Sequence, residues 1–171
     1  MKTFVLMSSL VLLASVSFAR AETATGACPA DPTVALTQTW AAWKTPAALN
    51  ASADAAKAPD VAIGSAYTLA LAPSAGITYS VQPYRAPTAG TFGGILSLKI
   101  TTGGVYSIGV DKKAWIDVIK DGQSLKPVGH SEGIVCTAIK KTVDFQLSPG
   151  VYAVQLSNAG DAALALEIQA K

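Results

Sequence analysis

Histidine occurs once in this chain of 171 residues, and cysteine twice. The single histidine, His130, excludes a two-histidine, one-carboxylate iron centre built within one chain. Two cysteines exclude a four-thiolate zinc site and a disulfide-dense miniature scaffold. Charge is scarce as well: 14% of residues carry it, well under the ~25% of an ordinary globular chain. No phosphate-binding loop, dinucleotide fingerprint, CxxC pair or calcium loop occurs. Beyond residue 18 there is no apolar run near the roughly 20 residues that a membrane span needs.

What is present begins with an export signal. Lys2 supplies a positive start, Phe4 to Phe18 an apolar run, and Ala19-Arg20-Ala21 a small-x-small cleavage site. These features predict a signal peptide over residues 1–21, cleaved after Ala21, and a product exported to the periplasm or secreted. The run is too short for an anchor. Cleavage removes Lys2 and Arg20 but no acid, leaving 11 basic and 11 acidic residues. A neutral chain gives no electrostatic case for nucleic acid or anionic lipid.

In an oxidising compartment the two cysteines pair most simply with each other. A Cys28–Cys136 disulfide would pin an extended N-terminal segment onto the rest, contributing about 4–5 kcal/mol in the chain-entropy description. The alternative is acylation at Cys28, but Thr25-Gly26-Ala27 lacks the large apolar residue of a lipobox.

Residues 22–65 are rich in Ala, Thr, Pro and Asp. Asp31-Pro32 and Thr45-Pro46 interrupt helix, leaving room for short helices over Val34–Lys44 and Ala47–Lys57. Trp40 and Trp43, three apart, would share a helix face. They are expected either as core anchors capping one end of the fold or as a sugar-stacking platform.

From Ala66 the apolar period becomes two. Tyr67-Leu69-Leu71, Ile77-Tyr79-Val81, Leu96-Leu98-Ile100, Tyr106-Ile108-Val110 and Ile116-Val118 read as strands, the last with Trp115, Asp117 and Ile119 on its other face. Ser124–Val128, Val143-Phe145-Leu147, Tyr152-Val154-Leu156 and Leu164-Leu166-Ile168 follow. Pro83–Gly94 reads as a loop, and Asp121-Gly122 and Ser148-Pro149-Gly150 as turns. With no crossover helices, the expectation is all-β: an antiparallel β-sandwich of jelly-roll or Greek-key type over residues 66–171, with a short irregular or partly helical N-terminal segment packed on it.

Few residues invite a chemical reading. Gly129-His130-Ser131-Glu132-Gly133 matches the nucleophile elbow in letters, but no helix follows and the only histidine adjoins the serine. His130 and Glu132, with Cys136 nearby, suggest a metal site. If Cys136 is oxidised, one imidazole and one carboxylate remain, short of a closed site. Asp111-Lys112-Lys113 and Lys140-Lys141 read as turns or solvated faces. Asp117, inside an apolar strand, needs a backbone partner or Lys140.

Two resemblances rest on these segments. Gly104-Val105-Tyr106-Ser107-Ile108, the strand into Asp121-Gly122, and Leu147-Ser148-Pro149-Gly150-Val151-Tyr152 resemble the β-sandwich modules beside secreted bacterial peptidases, the pre-peptidase C-terminal type. Ala114 to Gly122, His130, Cys136 and Lys141-Thr142-Val143-Asp144-Phe145, together with Cys28 and the tryptophan segment, resemble a group of small exported proteobacterial proteins of unknown role. Some of that group carry the name homogentisate 1,2-dioxygenase, and often a His-Gly-His where this chain has His130-Ser131-Glu132. That substitution takes away the second histidine an inherited iron site would use.

The functional expectation is a non-catalytic exported binding or structural module of the periplasm or envelope, with no cofactor. Its partner would be a carbohydrate or an envelope protein, and Trp40, Trp43, Tyr84 and Trp115 are the candidate stacking residues. The alternative is a periplasmic metal-handling protein using His130 and Glu132. An enzyme is disfavoured.

Overall fold

The period-two segments fold into strands wherever one face can be buried. A computed structural model describes residues 27–33 and 35–171; the expected signal peptide lies outside the described residues. The strands are β1 (Ala47–Asn50), β2 (Asp60–Val61), β3 (Ala66–Ala70), β4 (Ala72–Pro73), β5 (Phe92–Ile100) and β6 (Gly104–Val110). They continue as β7 (Trp115–Lys120), β8 (Gln123–Ser124), β9 (Gly129–Ser131), β10 (Lys141–Leu147), β11 (Gly150–Ala159) and β12 (Ala163–Ala170). No helix among the described residues is long and apolar enough to cross a membrane.

Two sheets form the sandwich. Sheet A has the order β1-β3-β12-β6-β10-β9, and sheet B the order β2-β5-β11-β7-β8 with β4 also on β5. Within these, β3-β12-β6-β10 faces β5-β11-β7-β8: the chain alternates between sheets except at the β7–β8 hairpin, and the last two strands nest beside the first two. That is jelly-roll connectivity. Between the sheets, Leu69, Leu166, Ile168, Ile108 and Phe145 from sheet A meet Leu96, Leu98, Val154, Leu156 and Val118 from sheet B, all of them buried.

The sandwich is mixed rather than purely antiparallel. β1 runs parallel to β3, and β2 parallel to β5. The chain achieves this without a crossover helix because residues 51–65 pass through the other sheet. Ser52 bridges to Ile95 and β2 adds to β5 before the chain returns as β3. This path also replaces the helix expected over Ala47–Lys57. Alanine favours helix locally, but pairing with β3 makes Ala47–Asn50 a strand. Only one 3₁₀ turn, Ala55–Lys57, remains, capped by the Asp54 carboxylate accepting from Ala56 N–H at 2.9 Å.

Three further segments differ from expectation. The first tryptophan helix shortens to a 3₁₀ stretch over Gln38–Lys44, interrupted by Trp40 at φ −107°, ψ 23°. Ile77–Val81 is no strand; apart from a bridge between Thr78 and Asp54, it lies over the outer face of sheet B. The strand expected over Ser124–Val128 is confined to Gln123–Ser124, after which the chain crosses to sheet A as β9. The Asp121-Gly122 turn forms as expected, with φ of 51° and 75°. Both values suit a tight hairpin turn and join β7 to β8.

Candidate functional site

Each sheet has an outer face that alternation leaves half polar, and each is covered by a different device. Over sheet B lies the loop of residues 77–91. Gln155, 1% exposed on the outer face of β11, accepts from Ser80 N–H and Oγ–H at 3.0 and 2.9 Å and donates to Val81 O at 2.9 Å. Tyr79 donates its hydroxyl to Leu156 O, and Asn158 holds Thr88, Arg85 and Ala86. A buried amide satisfied on both ends fixes a loop that has no ladder of its own.

The end of that loop makes the site. Asp117 is buried on the outer face of β7. One carboxylate oxygen accepts the indole N–H of Trp115 at 3.1 Å, and the other accepts the backbone N–H of Tyr84 at 3.3 Å. Lys140, the partner considered from sequence, is not used; its Nζ donates to Thr137 O. Burial pushes the Asp117 carboxyl above its ordinary range, with the Trp115 and Tyr84 hydrogen bonds opposing. By holding both residues, Asp117 stacks the Tyr84 and Trp115 rings at 5.6 Å with 15° between planes. The Arg85 guanidinium lies 5.4 Å and the Lys141 ammonium 5.3 Å from the Trp115 ring centre, within cation–π range. Lys141 is half-buried, its pKa lowered mainly by that burial, and it donates to Ala114 O at 3.0 Å.

Two grooves meet at Trp115. The first, about 630 Å³, opens where the chain crosses from β8 to β9. Ile116, Leu125 and Val143 line it with apolar surface, and Asp117, which is buried, and the exposed Lys126 and His130 are its polar lining. The second, about 420 Å³, runs from Trp115 past Arg85, Lys113, Lys140 and Glu132. An apolar floor with a few converging polar groups is the common form of a small-molecule site.

The aromatics named from sequence therefore separate. Tyr84 is 84% exposed and Trp115 is partly exposed at the junction of the grooves. Trp40 and Trp43 are each 7% exposed and pack edge to face at 6.3 Å and 73°. They do not cap an end of the sandwich. They cover the outer face of sheet A with Ile139, where Gly109 lets the Trp40 ring down onto the strand. Beneath them Glu167 is fully buried; one carboxylate oxygen accepts from Gln169 Nε2, and the other has no partner among the described residues.

His130 and Glu132 fall on different grooves, and both are exposed. Cys136 is joined to Cys28 in a disulfide. Among the described residues no three His, Cys, Asp or Glu side chains gather as a metal site would need. Ser131 stands on the edge strand β9, its hydroxyl 3.1 Å from that of Thr142, with no helix after it.

Sequence reading missed the basic residues that flank Trp115. Lys112-Lys113 lie in the turn after β6 and Lys140-Lys141 at the entry to β10, and only the pairing of β10 with β6 brings them together. No protein-family model and no curated protein matches the chain.

Proposed function

We propose that this chain is an exported, non-catalytic binding module of the periplasm or envelope, and that its ligand is a saccharide seated where the two grooves meet. The observation that carries the reading is the Tyr84–Trp115 stack, an aromatic pair in which Tyr84 is largely open to solvent. Sugar rings present flat C–H faces that pack on such platforms, and aromatic rings supply contact area at little entropic cost. The hydrogen bonds to Asp117 support the reading because they preorganise the pair, leaving little to be ordered on binding. The disulfide, the leader expected over residues 1–21 and the resemblance to small exported proteins all agree with action outside the cytoplasm.

The test is retention of the mature protein on immobilised envelope polysaccharides. Tyr84→Ala and Trp115→Ala are compared with Val151→Ser, which alters an exposed residue of β11 outside both grooves. Loss of retention in the first two, with the third unchanged and all three folded by circular dichroism, supports the proposal. Equal retention of all three would sink it.

A further inference from the structure

The mature chain is expected to be formally neutral, yet its cations are not evenly spread. Of the 11 basic residues in the mature chain, five line the second groove: Arg85, Lys112, Lys113, Lys140 and Lys141. Glu132 is the one acid among its lining residues. Lys126 adds a sixth cation on the adjoining groove. Among the described residues only Lys112 of these forms a salt bridge, to Asp161 at 3.4 Å. Lys140 and Lys141 each donate to a backbone carbonyl rather than to a carboxylate, and Glu132 and Asp117 act on Lys141 only from beyond ion-pair contact. Holding Lys141 half-buried over an indole, where burial opposes its charge, costs free energy that no acidic partner in contact repays.

Charges gathered this way beside an aromatic platform fit a ligand that has a ring face and a negative group on one edge. We infer that the second groove selects an anionic saccharide, such as a uronic acid chain, with the ring on Tyr84 and Trp115 and the carboxylates on Arg85, Lys113 and Lys140. The inference rests on the saccharide reading and adds the charge of the ligand. Arg85 is suited to the bidentate geometry of a carboxylate, and the lysines act as point charges along the groove. Single-stranded nucleic acid also combines stacking with negative charge, but it requires a basic track along the backbone. Here the cations cluster around one tryptophan, and the mature chain outside the two grooves is expected to carry five bases against nine acids.

The experiment is calorimetric titration of the mature protein with tetragalacturonate, with its fully methyl-esterified counterpart, and with an oligothymidylate of eight nucleotides. The acid is expected to bind about tenfold or more tightly than the ester, the worth of one charge-assisted hydrogen bond. That advantage should shrink as salt rises from 50 to 500 mM. Lys113→Gln/Lys140→Gln, checked for an unchanged melting temperature, should weaken the acid several-fold and leave the ester alone. If acid and ester bind equally and Tyr84→Ala abolishes both, the saccharide reading stands and the charge inference falls. If neither sugar binds, the saccharide reading falls and takes the inference with it. Tighter binding of the oligothymidylate than of the acid overturns the inference in favour of nucleic acid.

Discussion

Gly109→Ala should destabilise the protein although alanine suits a strand better than glycine does. Gly109 lies in β6, between Thr142 of β10 and Glu167 of β12. A Cβ built there would stand 2.8 and 3.0 Å from two carbons of the Trp40 ring and 3.4 Å from an Ile139 methyl. Carbon atoms pack at about 3.5–4.0 Å, so the ring must retreat by roughly 1 Å. Its edge-to-face contact with Trp43 and the disulfide at Cys28 leave it little freedom to slide. Overpacking of this kind costs about 1–3 kcal/mol, which in a domain of this size lowers Tm by about 2–12 °C. Trp40 and Trp43 are both nearly buried, so their emission should shift to the red as water reaches them. The decisive control is Trp40→Ala. On that background the clash is gone, and Gly109→Ala should become neutral or slightly stabilising, because glycine inside a strand carries an entropic cost of ~0.5–1 kcal/mol. Additive losses in the double variant would refute the claim that Gly109 is there for Trp40.

Two further outcomes follow from the same face. Cys28→Ser/Cys136→Ser opens a loop with a sequence separation of 108, and the chain-entropy description then expects a loss of about 4.7 kcal/mol. Tm should fall by about 10–20 °C; a fall under ~3 °C would mean that the N-terminal segment is already released when the core unfolds. Glu167→Gln should raise stability at neutral pH. Burial lifts the Glu167 carboxyl above its ordinary value of 4.5, so through that window the folded chain binds more protons than the unfolded one. Stability contributed by the neutral acid is present below the ordinary value and is lost as pH rises toward the folded one. The difference in Tm between Glu167→Gln and the parent should therefore be small near pH 4 and grow toward pH 7. Asp117 and Asp111 are also raised and Asp144 is lowered, but these groups are common to both proteins and cancel. A pH-independent difference would refute the assignment.

Much of the sandwich was legible because alternation reports burial directly. Leu96-Leu98-Ile100 and Tyr152-Val154-Leu156 read as inward faces, and they meet across β5 and β11 in register. Asp121-Gly122 read as a hairpin because few other pairs accept two positive φ angles in succession. Where local preference and tertiary pairing disagreed, the reading failed. Ala47–Lys57 has helical composition, but the edge of β3 offered it partners. Ile77–Val81 alternates like a strand, yet the side chain of Gln155, 74 residues away from Val81, holds it as a loop. Nothing near Ile77 signals a glutamine so distant. The pairing of Cys28 with Cys136 was legible from the expected compartment and the count alone. The basic groove was not, since its members come from the covering loop, the β6–β7 turn and the entry to β10, which share no spacing.

The separation of the four aromatics has a physical cause that also locates the site. Both outer faces are half polar, and both carry buried carboxylates, Glu167 on sheet A and Asp117 on sheet B. Over Glu167 the N-terminal segment brings two indoles and is tied down by a disulfide, so the face is closed with apolar mass. Over Asp117 the covering loop ends in Tyr84-Arg85, and the carboxylate is spent on holding the Tyr84 backbone and the Trp115 indole in place. A ring held by its N–H is positioned without being covered. The same two-sided design thus buries Trp40 and Trp43 as structure and leaves Tyr84 with Trp115 as a presented surface. If the Asp117 hydrogen bonds do position the pair, Asp117→Asn should retain part of any binding that Asp117→Leu abolishes, because the amide oxygen keeps one acceptor. Equal loss in both variants would assign the positioning to the rest of the loop instead.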